Sequence, residues 1–307
     1  MSLLVEALHL KKSFGATHAV QDVSLNVRAG EAYGLVGPDG AGKTTALRLL
    51  VGALQMDAGS ARVGGWDVNE RPEEARATLG YLAQRFSLYG DLTVLENLKF
   101  FGEVRGVVGH RFAHRAETLL NFVGLGGFEG RRAAQLSGGM KQKLGLACAL
   151  IHEPKVLLLD EPTTGVDPVT RQDFWQLLIR VLGAGTAVIV STPYMDEAIR
   201  CNRIGFMHSG KILVEGTPRE LMQPLAGRVW ELVAQPKQQA RAIAQRQPNV
   251  RDVLTFGDRL HLHVAEPTPQ LAQLSAALAG AGVQIHRLRP IPPSLEDVFI
   301  HLLKDQQ

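Results

Sequence analysis

The chain has 307 residues, 45% of them hydrophobic and 21% charged, and Lys+Arg exceeds Asp+Glu by only three. That is the composition of an ordinary globular protein, and at about 150 residues per domain the length suggests two domains. The charge is spread evenly, with 10 basic and 8 acidic residues from Gly216 onward, so the concentrated positive field of a nucleic-acid binder is excluded. A membrane-spanning helix needs roughly 20 consecutive apolar residues, and runs such as Val156-Leu157-Leu158-Leu159 stop far short. The start, Ser2-Leu3-Leu4-Val5-Glu6, lacks the positive region and small-residue cleavage site of a secretory signal. Two cysteines, Cys148 and Cys201, cannot build a disulfide framework and read as reduced core residues.

In chain order, Leu3–Leu10 and Val23–Val27 alternate apolar and polar residues and predict an antiparallel strand pair. Ala32–Val36, Val156–Leu159 and Ala187–Val190 are continuous apolar runs, as expected of strands buried on both faces of a parallel sheet. Helices predicted over Thr44–Ala53, Gly139–Ile151 and Thr170–Leu182 alternate with them, an α/β order. After Gly210-Lys211 the texture changes. A short helix at Arg219–Met222 leads to a strand at Arg228–Ala234 and a helix at Lys237–Arg246. A hairpin of Val250–Phe256 and Arg259–Val264 then turns at Gly257-Asp258. A helix at Gln270–Ala279, a strand at Gln284–Leu288 and a last helix at Ser294–Leu303 complete a β-α-β-β-α-β order. The second domain is therefore expected to be a small ferredoxin-like α+β unit over residues 217–307, following a first domain over residues 1–216.

The segment Gly37-Pro38-Asp39-Gly40-Ala41-Gly42-Lys43-Thr44-Thr45 follows a predicted strand and opens a predicted helix, matching G-x-x-x-x-G-K-[ST] in the context that pattern requires. Glycines let the backbone turn around a phosphate with its N–H groups inward, and the helix N-terminus adds partial positive charge. Lys43 supplies a full charge for the β- and γ-phosphates, and Thr44 a hydroxyl for Mg²⁺. The buried strand ending in Asp160 places a second metal partner at the carboxyl edge of the sheet, to act through water. Glu161, one residue on, is positioned as the general base for the attacking water.

Leu136-Ser137-Gly138-Gly139 precedes the Asp160 strand by about one helix, with Ser137 able to cap that helix and Gly138 and Gly139 leaving its N–H groups bare. With this segment the sequence resembles the ATP-binding subunits of ABC transporters across most of residues 1–215. The resemblance implies a phosphate-loop ATPase fold whose mixed sheet carries an antiparallel β-subdomain at its edge and a helical subdomain around the L-S-G-G helix. It assigns Phe14 to stacking on adenine, Gln84 to the loop between metal and permease, and Asp167 to the loop after the acidic strand. Alone, Phe14 would be a core aromatic, Gln84 a surface amide and Asp167 the start of a turn. It also implies two such domains paired head to tail, as a homodimer or with a second ABC ATPase, with ATP between one phosphate loop and the other chain's Ser137–Gly139. The pair would drive a separate membrane permease from the cytoplasmic face, and Arg85–Asn97, with Phe86, Leu88, Tyr89, Leu92 and Val94, lies where such proteins touch it. Ala83–Tyr89, Ser294–Ile300 and the small second domain are similar to the ATPases of ABC-2-type exporters.

One position departs from that family. After Ala187–Val190 it places a histidine that hydrogen-bonds the γ-phosphate; here Pro193 occupies the place. Proline has neither side-chain donor nor backbone N–H, so the site is expected to bind ATP and hydrolyse it poorly. This leaves two further readings, a regulatory pseudo-ATPase half of an asymmetric pair and a soluble ABC ATPase without a permease. The histidines show no zinc-ligand spacing, and His261-x-His263 reads as a solvated strand face.

Overall fold

The computed structural model describes residues 2–84, 88–266 and 272–304. The chain divides into two compact units, one ending at Thr217 and one starting at Pro218.

The first unit is built on a ten-stranded mixed sheet. Its strands are β1 (Leu3–Phe14), β2 (Thr17–Arg28), β3 (Ala32–Val36), β4 (Ala58–Val63), β5 (Trp66–Asp67), β6 (Leu79–Leu82), β7 (Val156–Asp160), β8 (Ala187–Thr192), β9 (Arg203–His208) and β10 (Lys211–Gly216), in the order β5-β4-β1-β2-β10-β9-β3-β8-β7-β6. The apolar runs of β3, β7 and β8 are wholly buried, and these three strands pair in parallel. The alternating segments at the start form a longer hairpin than predicted, with β1 paired antiparallel to both β2 and β4. The three predicted helices appear as Lys43–Leu50, Gly138–Leu150 and Pro168–Gly183. Two further helices, Val94–Val104 and Gly109–Val123, pack with Gly138–Leu150.

Register carries the functional consequence. Val36 of β3 lies beside Thr192 of β8, and Asp160 of β7 beside Ser191. The carboxyl ends of all three strands therefore coincide, bringing the phosphate loop, the Asp160-Glu161 pair and the Ser191–Pro193 turn to one sheet edge, where α/β folds place their ligands. On the far side β6 runs parallel to β7 with Leu82 opposite Leu159, so Gln84, two residues on, lands near Glu161. Both cysteines are buried free thiols, and burial pushes Cys201 up to about 12.

The second unit has four antiparallel strands, β11 (Val229–Gln235), β12 (Val250–Phe256), β13 (Arg259–Val264) and β14 (Gln284–Pro290), in the order β12-β13-β11-β14. With helices Lys237–Gln245 and Ala272–Gly280 in their β-α crossovers, this is the ferredoxin-like arrangement expected. Its core joins Leu232, Leu260 and Leu262 of the sheet to Ala240, Ala244, Leu274 and Leu278 of the helices.

His261 and His263 correct the sequence reading: they are not a solvated face. Helix Leu295–Lys304 lies over them, and its Asp297, fully buried, receives His261 Nδ1 at 3.0 Å and His263 Nε2 at 3.0 Å. The Ser294 backbone N–H at 2.8 Å and hydroxyl at 2.7 Å complete its shell. Burial alone would raise the Asp297 pKa, but the donors from His261, His263 and Ser294 outweigh it and hold the carboxyl far below its usual value. A depressed folded-state pKa contributes stability that is complete above the unfolded value of about 3.9 and is lost as pH falls below it. Asp297→Ala should therefore destabilise this unit by on the order of 3 kcal/mol at neutral pH, by orphaning buried donors. Denaturant unfolding checks this, and the difference from wild type should shrink below about pH 4.

Candidate functional site

The loop after β3 is shaped by close approach. Gly42 caps helix Lys43–Leu50 with φ of 104°, and a Cβ there would sit 2.2 Å from the Ala19 carbonyl oxygen. A Cβ on Gly37 would meet the Met207 carbonyl oxygen at 2.0 Å. Both positions demand glycine on steric grounds. The buried Lys43 ammonium donates to the carbonyls of Gly37 at 2.8 Å and Pro38 at 3.0 Å and lies 3.2 Å from Glu161 Oε1.

Asp160 and Glu161 are both buried. Thr44 donates to Asp160 Oδ1 at 3.0 Å, Ser191 donates to the same oxygen at 2.7 Å, and the Tyr81 hydroxyl reaches Oδ2 at 3.4 Å. Burial and the Asp160 charge push Tyr81 up to about 12, so it stays a neutral donor. Glu161 has a left-handed backbone, φ 48°, and its N–H is satisfied by the Ser191 hydroxyl at 3.0 Å and carbonyl at 3.1 Å. Strain of this kind in a non-glycine residue is stored where the surroundings over-determine it. Its carboxylate faces Lys43 through Oε1, while Oε2 accepts from Gln84 Nε2 at 2.9 Å and Thr164 Oγ1 at 3.3 Å.

Lys43, Thr44, Gln84 and Glu161 line a cleft of about 580 Å³ together with Asp39, Gly40, Gly42 and Thr45. Thr17, His18, Ala19, Gln21 and Ser209 complete it. Ala41 is buried behind the loop. Phe14 stands 49% exposed at the end of β1, paired with cleft-lining Thr17, with the Lys12 ammonium 5.7 Å from its ring centroid.

Other expected site residues lie elsewhere. Ser137 caps helix Gly138–Leu150, accepting the Met140 N–H at 3.3 Å, and is exposed with Gly138. Among the described residues, none of Ser137–Gly139 lines the cleft. Asp167 starts no free turn: it caps helix Pro168–Gly183 through the N–H groups of Val169 and Thr170, and with the Thr170 hydroxyl these hold its carboxyl below the usual range. Pro193 is half-buried between two pinned neighbours. Thr192 accepts the Tyr194 N–H at 3.0 Å and donates at 2.8 Å to the buried Glu197. Of the expected permease-facing residues, Arg85, Phe86 and Ser87 lie outside the described residues. Val94 is buried, Leu88 and Leu92 are half-buried, and Tyr89 is exposed with its ring 4.7 Å from Phe100.

Ser191 is a candidate site residue that the sequence reading misses. Its hydroxyl bridges Asp160 and the Glu161 N–H, and the available signal was a polar Ser-Thr pair closing a fully apolar strand.

A family model described as ABC transporter matches residues 20–164, and one described as ATP-binding protein DrrA1-3-like, C-terminal domain, matches residues 216–303. A Nod factor export ATP-binding protein I of Rhizobium sp. (strain N33) is 38% identical over 300 residues, covering 97% of this chain and 96% of that protein. The chain belongs to the ATP-binding subunits of ABC transporters. This ABC subunit is also 43% identical over 289 residues to the probable multidrug ABC transporter ATP-binding protein YbhF of Escherichia coli (strain K12). That match covers 93% of the chain, and the chain spans about half of that relative, 49% of its length. Among solved structures, the dimeric ATP-binding cassette MJ0796 in a post-hydrolysis state with ADP and Pi superposes with a TM-score of 0.64. It is 27% identical, and the match covers 70% of this chain and 98% of that one. Among the described residues no helix is long and apolar enough to cross a membrane.

Proposed function

We propose that this chain is the ATPase subunit of an exporter, holding Mg-ATP in the cleft at the carboxyl edge of its sheet. The observation that carries the reading is the convergence of Lys43, Thr44, Asp160 and Glu161 within hydrogen-bonding reach of one another at that edge. The residues fit the ligand: a buried ammonium coordinated only by oxygens, inside a loop that excludes a Cβ at both Gly37 and Gly42, is built for a phosphate chain. Lys43, with the N–H groups of Asp39–Thr45, would hold the phosphates, and Phe14 would stack on the adenine. Thr44, Asp160 and Gln84 would hold Mg²⁺, which when bound neutralises charge on the phosphate oxygens. Glu161 would accept a proton from the attacking water.

Exposure of the Ser137–Gly139 helix end, away from the chain's own cleft, supports a role in a neighbouring subunit's site. The head-to-tail pair would be formed with a second copy or a second ABC ATPase; Asp167, in the loop after the acidic strand, is exposed as well. The pair would close on ATP and open after hydrolysis, and so drive a separate permease of ABC-2 type from the cytoplasmic side of the membrane.

Pro193 favours a second, asymmetric reading. In it the chain's own site turns over slowly, and the chain lends Ser137–Gly139 to a partner ATPase whose histidine is intact. A regulatory pseudo-ATPase half is the limit of that reading; a soluble ABC ATPase is disfavoured by the exporter relatives. Steady-state turnover of the purified chain distinguishes them: it should bind Mg-ATP yet hydrolyse it on the order of 10²-fold more slowly than a transporter ATPase with the histidine. Turnover at ordinary transporter rates would remove the asymmetric reading.

A further inference from the structure

In the second unit, helices Lys237–Gln245 and Ala272–Gly280 pack on the sheet face that carries Leu232, Leu260 and Leu262. Alternation along the strands sends Glu231, Arg259, His261, Arg287 and Arg289 to the other face, and the register puts Glu231 beside both His261 and Arg289. Part of that face is taken by helix Leu295–Lys304 through Asp297 and through Lys304, whose ammonium meets Asp252 at 2.6 Å. The remainder is a cluster of four charges. Glu231, only 2% exposed, receives Arg259 Nη1 at 3.0 Å, Arg287 Nη1 at 3.3 Å and Arg289 Nε at 3.0 Å. Arg259 Nε also stands 3.7 Å from the exposed Asp258.

A carboxylate buried for stability alone is a poor construction, because desolvation offsets much of its attraction to a partner. Here one carboxylate is matched to three guanidiniums, each about half exposed, at 51%, 50% and 57%. With Asp258 beside Arg259 counted, one positive charge remains in excess, on the side of Arg287 and Arg289. Each guanidinium has five N–H donors in a rigid fork, and Glu231 takes one from each. Apart from Arg259 Nε, which stands by Asp258, the other donors sit on half-exposed heads that Glu231 holds in place, which is preorganisation for an anion. Arg287 and Arg289 are two residues apart on edge strand β14, a spacing of about 6.6 Å, which is also the spacing of same-face side chains on any extended strand.

We propose that this arginine face of the second unit is a docking surface for an extended, acidic segment of a partner protein, with carboxylates at alternate positions. The inference concerns a different unit from the nucleotide cleft and does not rest on the function proposed for that cleft.

The test is a fluorescence-anisotropy titration of the full chain with a fluorescein-labelled (Glu-Ser)4 peptide at about 50 mM salt, where surface charge is weakly screened. Excess Mg-ADP keeps the phosphate loop from competing for the probe. Wild type should bind saturably, and R287A/R289A should weaken binding at least tenfold. The triple variant E231A/R287A/R289A removes the buried charge together with two partners, so it leaves no orphaned carboxylate, and it should lose binding equally. R241A/R246A, which changes two exposed arginines at the helix on the opposite sheet face, should stay within twofold of wild type. Absence of saturable binding, or equal losses in R241A/R246A and R287A/R289A, would overturn the proposal. So would displacement of the peptide by an equal concentration of inorganic pyrophosphate, or preferential binding to vesicles of anionic lipid, since each names another occupant.

Discussion

Substituting Pro193 by histidine should raise the chain's steady-state ATP turnover on the order of 10²-fold, the scale of one donor aimed at transition-state charge. The position can accept the change. Pro193 is half-buried, and the turn around it is held by its neighbours, since Thr192 pairs with Val36 in the sheet and its hydroxyl ties the Tyr194 N–H to Glu197. Glu197 is itself fixed by Thr163 and by Arg171 at 3.4 Å, and the Arg171 guanidinium lies 4.5 Å over the Tyr194 ring. Removing the pyrrolidine ring therefore leaves the turn's other restraints intact and adds an imidazole two residues beyond Ser191, beside the Asp160-Glu161 edge. Phosphate release by the purified variant checks the gain. An unchanged rate would mean that another group already serves the γ-phosphate, with Tyr194 the first candidate.

Adding Glu161→Gln to that variant should erase the gain, lowering turnover by on the order of 10²–10³ while Mg-ATP binding persists. Removing a positioned general base typically costs 10²–10⁴ in rate. Glutamine keeps the shape and can still meet Gln84 and Thr164, whose contacts to Oε2 are 2.9 and 3.3 Å. What it loses is the charge 3.2 Å from the Lys43 ammonium. That ion pair competes with phosphate for Lys43, so relieving it should leave affinity equal to wild type or several-fold tighter. Equilibrium binding and single-turnover measurements on the same preparation separate the two effects. A fall in both binding and rate would place Glu161 in structural support.

The parts of this molecule that were legible in sequence are those whose physics is local. A phosphate loop must place its glycines, lysine and threonine at fixed spacing, and strands buried on both faces must be apolar throughout, so Gly37–Thr45 and the three core strands announce themselves. The second unit's order was readable because turns such as Gly257-Asp258 punctuate it. Contacts set by pairing across the sheet were hidden. Ser191 meets Asp160 only because β7 and β8 share a register that no single segment encodes. His261 and His263, on strand β13, looked solvated because their carboxylate lies 36 and 34 residues away on a helix. Helix Val94–Val104 did carry a local signal, a Thr93–Glu96 capping box, which hydrophobic patterning alone passes over.

The central claim is that Lys43, held among the carbonyls of its own loop and the Glu161 carboxylate, grips a triphosphate. Titration of the full chain with labelled ATP in excess magnesium tests it most directly. Wild type should show one saturable site per chain, and Lys43→Ala should weaken it on the order of 10²-fold or more, by removing the charge that meets the phosphates and leaving Glu161 buried and unpaired. Failure of the wild type to retain ATP, or equal affinity in Lys43→Ala, would contradict the account.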